Sequence, residues 1–199
     1  MASPVSIGAS QNDNARVMMQ QTVLYKLIDA ISDLMCHHGL KDAVKGSAVQ
    51  ALARAHLFVA LRQLDGLHKG LALQFLYEAN LIGAHVVADS APLAPVLGLN
   101  GADLRGMVLP RSNLAWAHLA ISDLSRADLR DACLIRANLY AADLVDADLA
   151  NANLCGANLF MTDITRANFD GADLRSALVS PAQLAAAKVT NATRLPDSM

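Results

Sequence analysis

A solenoid of short stacked repeats, preceded by a small helical unit, is the fold class this 199-residue sequence predicts. Three observations point to it. Leucine recurs at every fifth position through LYAADLVDADLANANLCGANLF, residues 139–160. The 54% hydrophobic content is built almost without aromatics, which make up 4% of the chain. Apolar residues before the repeats follow helical spacing instead. Five steps turn a helix by about 140°, so leucines at that spacing would spiral round every face. On a strand they would alternate between the two sides. A period that suits neither element needs a third architecture, and a short unit unable to bury its own leucine has to stack on copies of itself.

The amino-terminal residues 1–13 are rich in Ser, Gly, Gln and Asn and are expected to be disordered. Residues 14–87 read as a domain of three helices. In the first, Val17, Leu24 and Ile31 recur every seven residues, with Leu27, Ile28, Leu34 and Met35 between them, and Gly39 as the stop signal. A second helix starts at Ser47, with Val49, Ala53, His56, Leu57, Ala60 and Leu64 on one stripe and Arg54 and Arg62 opposite. His56 on that stripe reads as a core or interface histidine. DGLHKG, residues 65–70, breaks this helix, and LALQFLYEANLI forms the third. With only Gln74 and Glu78 for polar relief, that third helix is expected to be sandwiched. Residues 88–96, ADSAPLAPV, are a linker.

Residues 97–178 carry the repeats. Centres at positions 99, 104 and onward to 174 make sixteen, with Leu at all but Ile164 and Phe169. Two positions earlier stands Ala in eleven of them, and just before the centre Asp in seven and Asn in five. Leu and Ala are the inward positions. Asp and Asn tolerate turns and bond nearby backbone N–H groups, so they are expected at the corners, with the two variable positions facing solvent. In residues 179–199, SPAQLAAAK is a capping helix begun by Ser180 with Pro181 in its first turn, and the tail is expected to be loosely ordered.

The motif A-[D/N]-L-x-x, written here as ADLVD, ANLCG, ANLFM and ADLRS, resembles the pentapeptide-repeat family. The resemblance implies a mainly β solenoid with α: a right-handed quadrilateral β-helix with twenty residues per coil. Sixteen repeats would give about four coils, a rod about 19 Å long at the usual strand spacing. The stretch LARAHLFVALRQLDGLHKGLALQFLYEANLI is similar to a helical segment found ahead of such repeats in bacterial proteins.

Stacking the sequence in twenties sets Ala120, Tyr140 and Phe160 beside Ile121, Ala141 and Met161 on one face. An apolar column at outward positions marks a contact, either with a partner or with the protein's own helices folding back. The next face aligns Asp103, Asp123, Asp143 and Asp163. These are expected to cap turns; the sharper alternative, which the resemblance to pentapeptide proteins of the quinolone-resistance type implies, is an acidic strip, extended by Asp128, Asp146 and Asp148, that imitates DNA before a type II topoisomerase such as gyrase. Over residues 97–178, ten Asp against seven Arg leave a net of only −3, which favours cross-strand pairing.

A formal charge of −2 argues against direct nucleic-acid or anionic-membrane binding. Three scattered cysteines, Cys36, Cys133 and Cys155, suit a reducing setting rather than a disulfide framework. No signal peptide and no apolar run of about 18 residues is evident, so a cytoplasmic protein is expected. Cys36-His37-His38 reads as a helix terminus, and Lys69 and Glu78 as helix-surface residues. No catalytic constellation, cofactor or metal site is identified. The expected function is a non-catalytic protein–protein interaction scaffold or adaptor. It could homodimerise through the Tyr140/Phe160 face or the heptads of the first helix.

Overall fold

The computed structural model describes residues 4–83 and 95–196, with side chains given from residue 12 onward. The first helix, α1 (Pro4–His37), is 34 residues long. It begins at Pro4, so the disorder expected for residues 1–13 is corrected for 4–13; residues 1–3 lie outside the described residues. Once Leu24, Leu27, Ile31 and Leu34 are buried against the other helices, a nucleus exists, and each residue added to an existing helix costs little.

After Gly39, in the left-handed region at φ 65°, a 3-10 turn spans Leu40–Asp42. Helix α2 (Ala48–Gln63) starts where the sequence placed it, with the Ser47 hydroxyl accepting from the Gln50 N–H. Its inner stripe is Ala53, Leu57, Ala60 and Leu61. His56 departs from the expectation and is exposed, on the flank of that stripe.

Helix α3 (Gly66–Glu78) begins five residues earlier than DGLHKG suggested. Asp65 is its cap rather than a break, accepting from the His68 N–H. The two glycines are helical because the rod lies against them. A Cβ at Gly66 would run into the carbonyl oxygen of Gly106, and one at Gly70 into that of Val108. At this approach the Val108 N–H donates to Gly66 O at 2.9 Å. Gln20 ties the domain together: its amide donates to Gln63 O and accepts from the Asp65 N–H. Residues 88–94 of the expected linker lie outside the described residues.

From Leu99 the chain is a β-helix. Its parallel bridges join residues twenty apart, as in Asp103↔Asp123, Asp123↔Asp143 and Asp143↔Asp163. A turn follows every fifth residue, so each coil has four sides. Inside stand the Leu centres and the Ala two places before them, nearly all buried, with Phe169 and Ile164 filling the same layer.

The corners correct one expectation. Asp and Asn do not form them; they occupy the bridged position just before each Leu. The turn itself is made by the two variable residues, and the second has positive φ throughout. Glycine serves at Gly101, Gly106, Gly156 and Gly171, but Arg111, Trp116, Ile121, Arg126 and Asn151, among others, take φ between 52° and 62°. The preceding carboxylate or amide oxygen reaches over to accept the N–H of the first turn residue, as Asp143 does from Val145 at 2.8 Å.

The carboxyl-terminal segment is more ordered than its composition suggests. Helix α4 is only Pro181–Leu184, closed by a capping box between Ser180 and Gln183. The Gln183 amide then donates to Leu159 O and Thr162 O. Beyond it, Lys188 and Arg194 bridge Asn168 and Asp173, continuing the ladder. Thr193 donates to Phe169 O at 2.7 Å and Thr190 to Asp170 at 2.6 Å. Those hydroxyls satisfy groups at the end of the coil, which explains why TNATR is held.

Candidate functional site

Outward residues of the rod are positioned by its corners, so alignment in register follows from the twenty-residue coil. The apolar column forms as the stacking predicted. Tyr140 and Phe160 are stacked, ring centroids 6.2 Å apart and planes 27° apart. The Tyr140 hydroxyl lies 3.4 Å from Met161 Sδ. Neither α1–α3 nor α4 covers these groups: Ile121 is 67% exposed, Phe160 59% and Met161 63%. Leu178, which follows Asn158 in the ladder, widens the patch at 60% exposure.

Ile121 adds a second kind of information. It is β-branched yet holds φ 61°. For such a residue that region is a genuine outlier, costing on the order of 1–2 kcal/mol relative to glycine. The side chain is in water and does not offset this cost by burial; the coil holds the backbone there, the Ile121 N–H donating to Tyr140 O at 2.9 Å.

The acidic column is brought into line too, but its charge is largely engaged. Asp103 takes a bidentate contact from Arg105, at 3.0 and 2.7 Å, and a 2.8 Å bond from the Lys69 ammonium. The Arg105 guanidinium beside it, with Lys69 next, holds the Asp103 carboxyl well below the usual carboxylate range. Asp123 accepts from the Ser125 hydroxyl at 2.6 Å and from its N–H at 3.1 Å. Asp143 caps Val145, and Asp163 caps Thr165 at 2.9 Å, whose hydrogen bonds lower its carboxyl pKa. The flanking acids are paired: Asp128 with Arg130 and Asp146 with Arg166. A shallow surface on this side is lined by Arg105, Asp123, Arg126, Asp143, Asp146 and Arg166, with both signs intermixed.

Lys69 is what sequence reasoning missed. Placed on a helix surface by its pattern, it is 5% exposed and joins α3 to the first coil. The readable signal was the flanking pair Gly66 and Gly70, which mark that side of α3 as a close-approach face. Arg136 stacked 4.8 Å over the Trp116 ring was likewise visible only in twenties. His37 and His38 both approach Asp33, at 3.1 and 3.5 Å. Among the described residues no group of His, Cys, Asp and Glu is arranged to hold a metal, and no helix is long and apolar enough to cross a membrane.

Comparison with known families matches "Pentapeptide repeats (8 copies)" to residues 122–159 and 137–180. Among solved structures, a pentapeptide repeat protein of the Arabidopsis thaliana thylakoid lumen is 29% identical, over 50% of this chain and 58% of that one, with a TM-score of 0.29. This chain therefore spans little over half the length of the plant protein. Rfr23, a pentapeptide repeat protein from the cyanobacterium Cyanothece 51142, is 32% identical over 54% of this chain and 67% of its own, TM-score 0.25. A pentapeptide repeat protein from Nostoc Pcc 7120 is 27% identical over 52% and 73%, TM-score 0.29. Comparison with curated proteins finds no match.

Proposed function

We infer that this chain, which belongs to the pentapeptide-repeat family, is a non-catalytic scaffold or adaptor that binds a protein partner through the Ile121, Tyr140, Phe160 and Met161 face. The rod is read as about four right-handed coils. It is capped at one end by the three-helix domain and at the other by residues 179–196, which leaves its sides as the working surfaces. The observation that carries the reading is the exposed apolar column, and within it Ile121. A β-branched residue in a left-handed corner, exposed to water, serves neither stability nor solubility. The left-handed corner is common to every repeat, so what marks the surface is the exposed apolar side chain that stands there. Stacked aromatics beside a methionine supply the large, adaptable contact area that interface centres favour.

The alternative is a DNA-mimicking modulator of a type II topoisomerase such as gyrase, acting through Asp103, Asp123, Asp143 and Asp163. The arginine and lysine partners of Asp103, Asp128 and Asp146 weigh against it, because a mimic of phosphates needs an unneutralised field. The partner setting is read as cytoplasmic, with no direct nucleic-acid contact.

The test is a pull-down from native lysate with mass-spectrometric identification. It runs the wild type beside Tyr140→Asp/Phe160→Asp and Asp123→Asn/Asp143→Asn variants. A protein lost only with the aromatic variant supports the adaptor and names its client. A topoisomerase subunit lost only with the aspartate variant reverses the order of the two readings.

A further inference from the structure

Helix α1, with 34 residues, is about twice as long as the 16-residue α2 it packs against. Its packing begins at Gln20, which is buried, and continues through Leu24, Leu27, Ile31 and Leu34. Residues 12–19 are all exposed, Val17, Met18 and Met19 among them. Residues 12–19 thus leave the bundle as an arm, in a helix whose first sixteen residues, Pro4 to Met19, run about 24 Å. An isolated helix of that length is marginal in water. Leu24 and Ile31, expected to form a coiled-coil seam between copies, are instead spent inside the chain's own core.

Beside the root of the arm lies an empty groove of about 370 Å³ between α1 and α2. Val23, Leu27, Leu52, Val59 and Ala60 line it, with Lys26 at its edge. Leu52 and Val59 are half exposed there. Met19 stands one helical turn before Val23, on the flank that enters the groove.

We propose that two copies of this chain associate about a two-fold axis between residues 19 and 20 of α1, each arm lying antiparallel in the α1/α2 groove of the other. The inference does not rest on the Tyr140/Phe160 face. Three features support a second copy as the occupant. A two-fold axis between residues 19 and 20, where the arm leaves the body, lays residues 4–19 along residues 20–35 of the partner, within the span of its α1. The first sixteen residues of α1 match the length of α2, the far wall of the groove. Asp13 and Lys26 have no ion-pair partner among the described residues, and they stand symmetrically about the same point, so each arm's Asp13 meets the partner's lysine. Half the surface of a helix of this length is about 380 Å², so two arms in two grooves bury about 1,500 Å² in total, inside the range of stable interfaces.

The experiment is sedimentation velocity on the full chain, with circular dichroism to verify folding. The wild type should sediment at twice the 21.0 kDa of one chain. Met19→Glu and Leu52→Glu/Val59→Glu change only exposed side chains and should each give a folded monomer, while Tyr140→Asp/Phe160→Asp stays dimeric. Asp13→Lys or Lys26→Asp alone should weaken the dimer, and the two together should restore it. A monomeric wild type, or a dimer lost through Tyr140/Phe160 and indifferent to Met19 and Leu52/Val59, overturns the proposal.

Discussion

The Lys69 ammonium lies 2.8 Å from the Asp103 carboxylate, where α3 meets the first coil. It also donates to Arg105 O at 3.3 Å, so a side chain from the helical domain satisfies both an acid and an edge carbonyl of the rod. The two partners are not equivalent. Asp103 keeps Arg105 if the lysine is lost, whereas Lys69 keeps no countercharge if the aspartate is lost. Asp103→Ala should therefore cost about 3 kcal/mol, as expected for a buried charge left unpaired, and Lys69→Met about 1 kcal/mol or less. Urea denaturation of both variants checks the order; equal losses would contradict it.

Gly66→Ala and Gly70→Ala should each destabilise the docking of α3 by about 2 kcal/mol, although alanine is the better helix former by about 1 kcal/mol. The clash is with backbone carbonyls of the rod, which cannot move aside as a side chain could. The expected signature is a separate early melting of the helical domain, followed by ellipticity near 222 nm.

Ile121→Gly should raise stability by about 1 kcal/mol by relieving the left-handed strain. The same substitution should weaken partner binding, since it deletes an apolar side chain from the exposed column. Thermal unfolding and the pull-down read the two effects separately. A loss of stability would show that Ile121 is held by packing instead.

Stability should depend on acid in two stages. Burial, with Lys45 nearby, lowers the pKa of His118. Its contribution is therefore present above the ordinary histidine value of about 6.5 and fades as pH falls below it. Asp103, Asp128 and Asp173 are lowered chiefly by hydrogen bonds from Arg105, Arg130 and Arg175. Their contributions are complete above about 3.9 and are lost as pH falls through the lowered values. The urea midpoint should be level above about pH 6.5, decline slightly to about pH 4 and then drop steeply. His118→Gln should remove the first stage and leave the second.

The sequence alone determined the stack, its register and its inside. A leucine that recurs every five residues, beside an alanine too small to obstruct it, can be buried in only one way, and the columns Tyr140–Phe160 and Asp103–Asp163 follow from the count. It also placed the start of α2 at Ser47 and the cap of α4 at Ser180, because a hydroxyl at a helix start acts within three residues. Only the tertiary structure decided what depends on contacts distant in the chain. The burial of Lys69 and the start of α3 at Gly66 arise from the rod's edge lying against that helix, thirty to forty residues away. The strain at the corners was hidden because so many side chains tolerate it when the coil above and below holds the backbone. Whether the aromatic column was covered turned on where α1 to α4 fold, and local pattern carries no term for that.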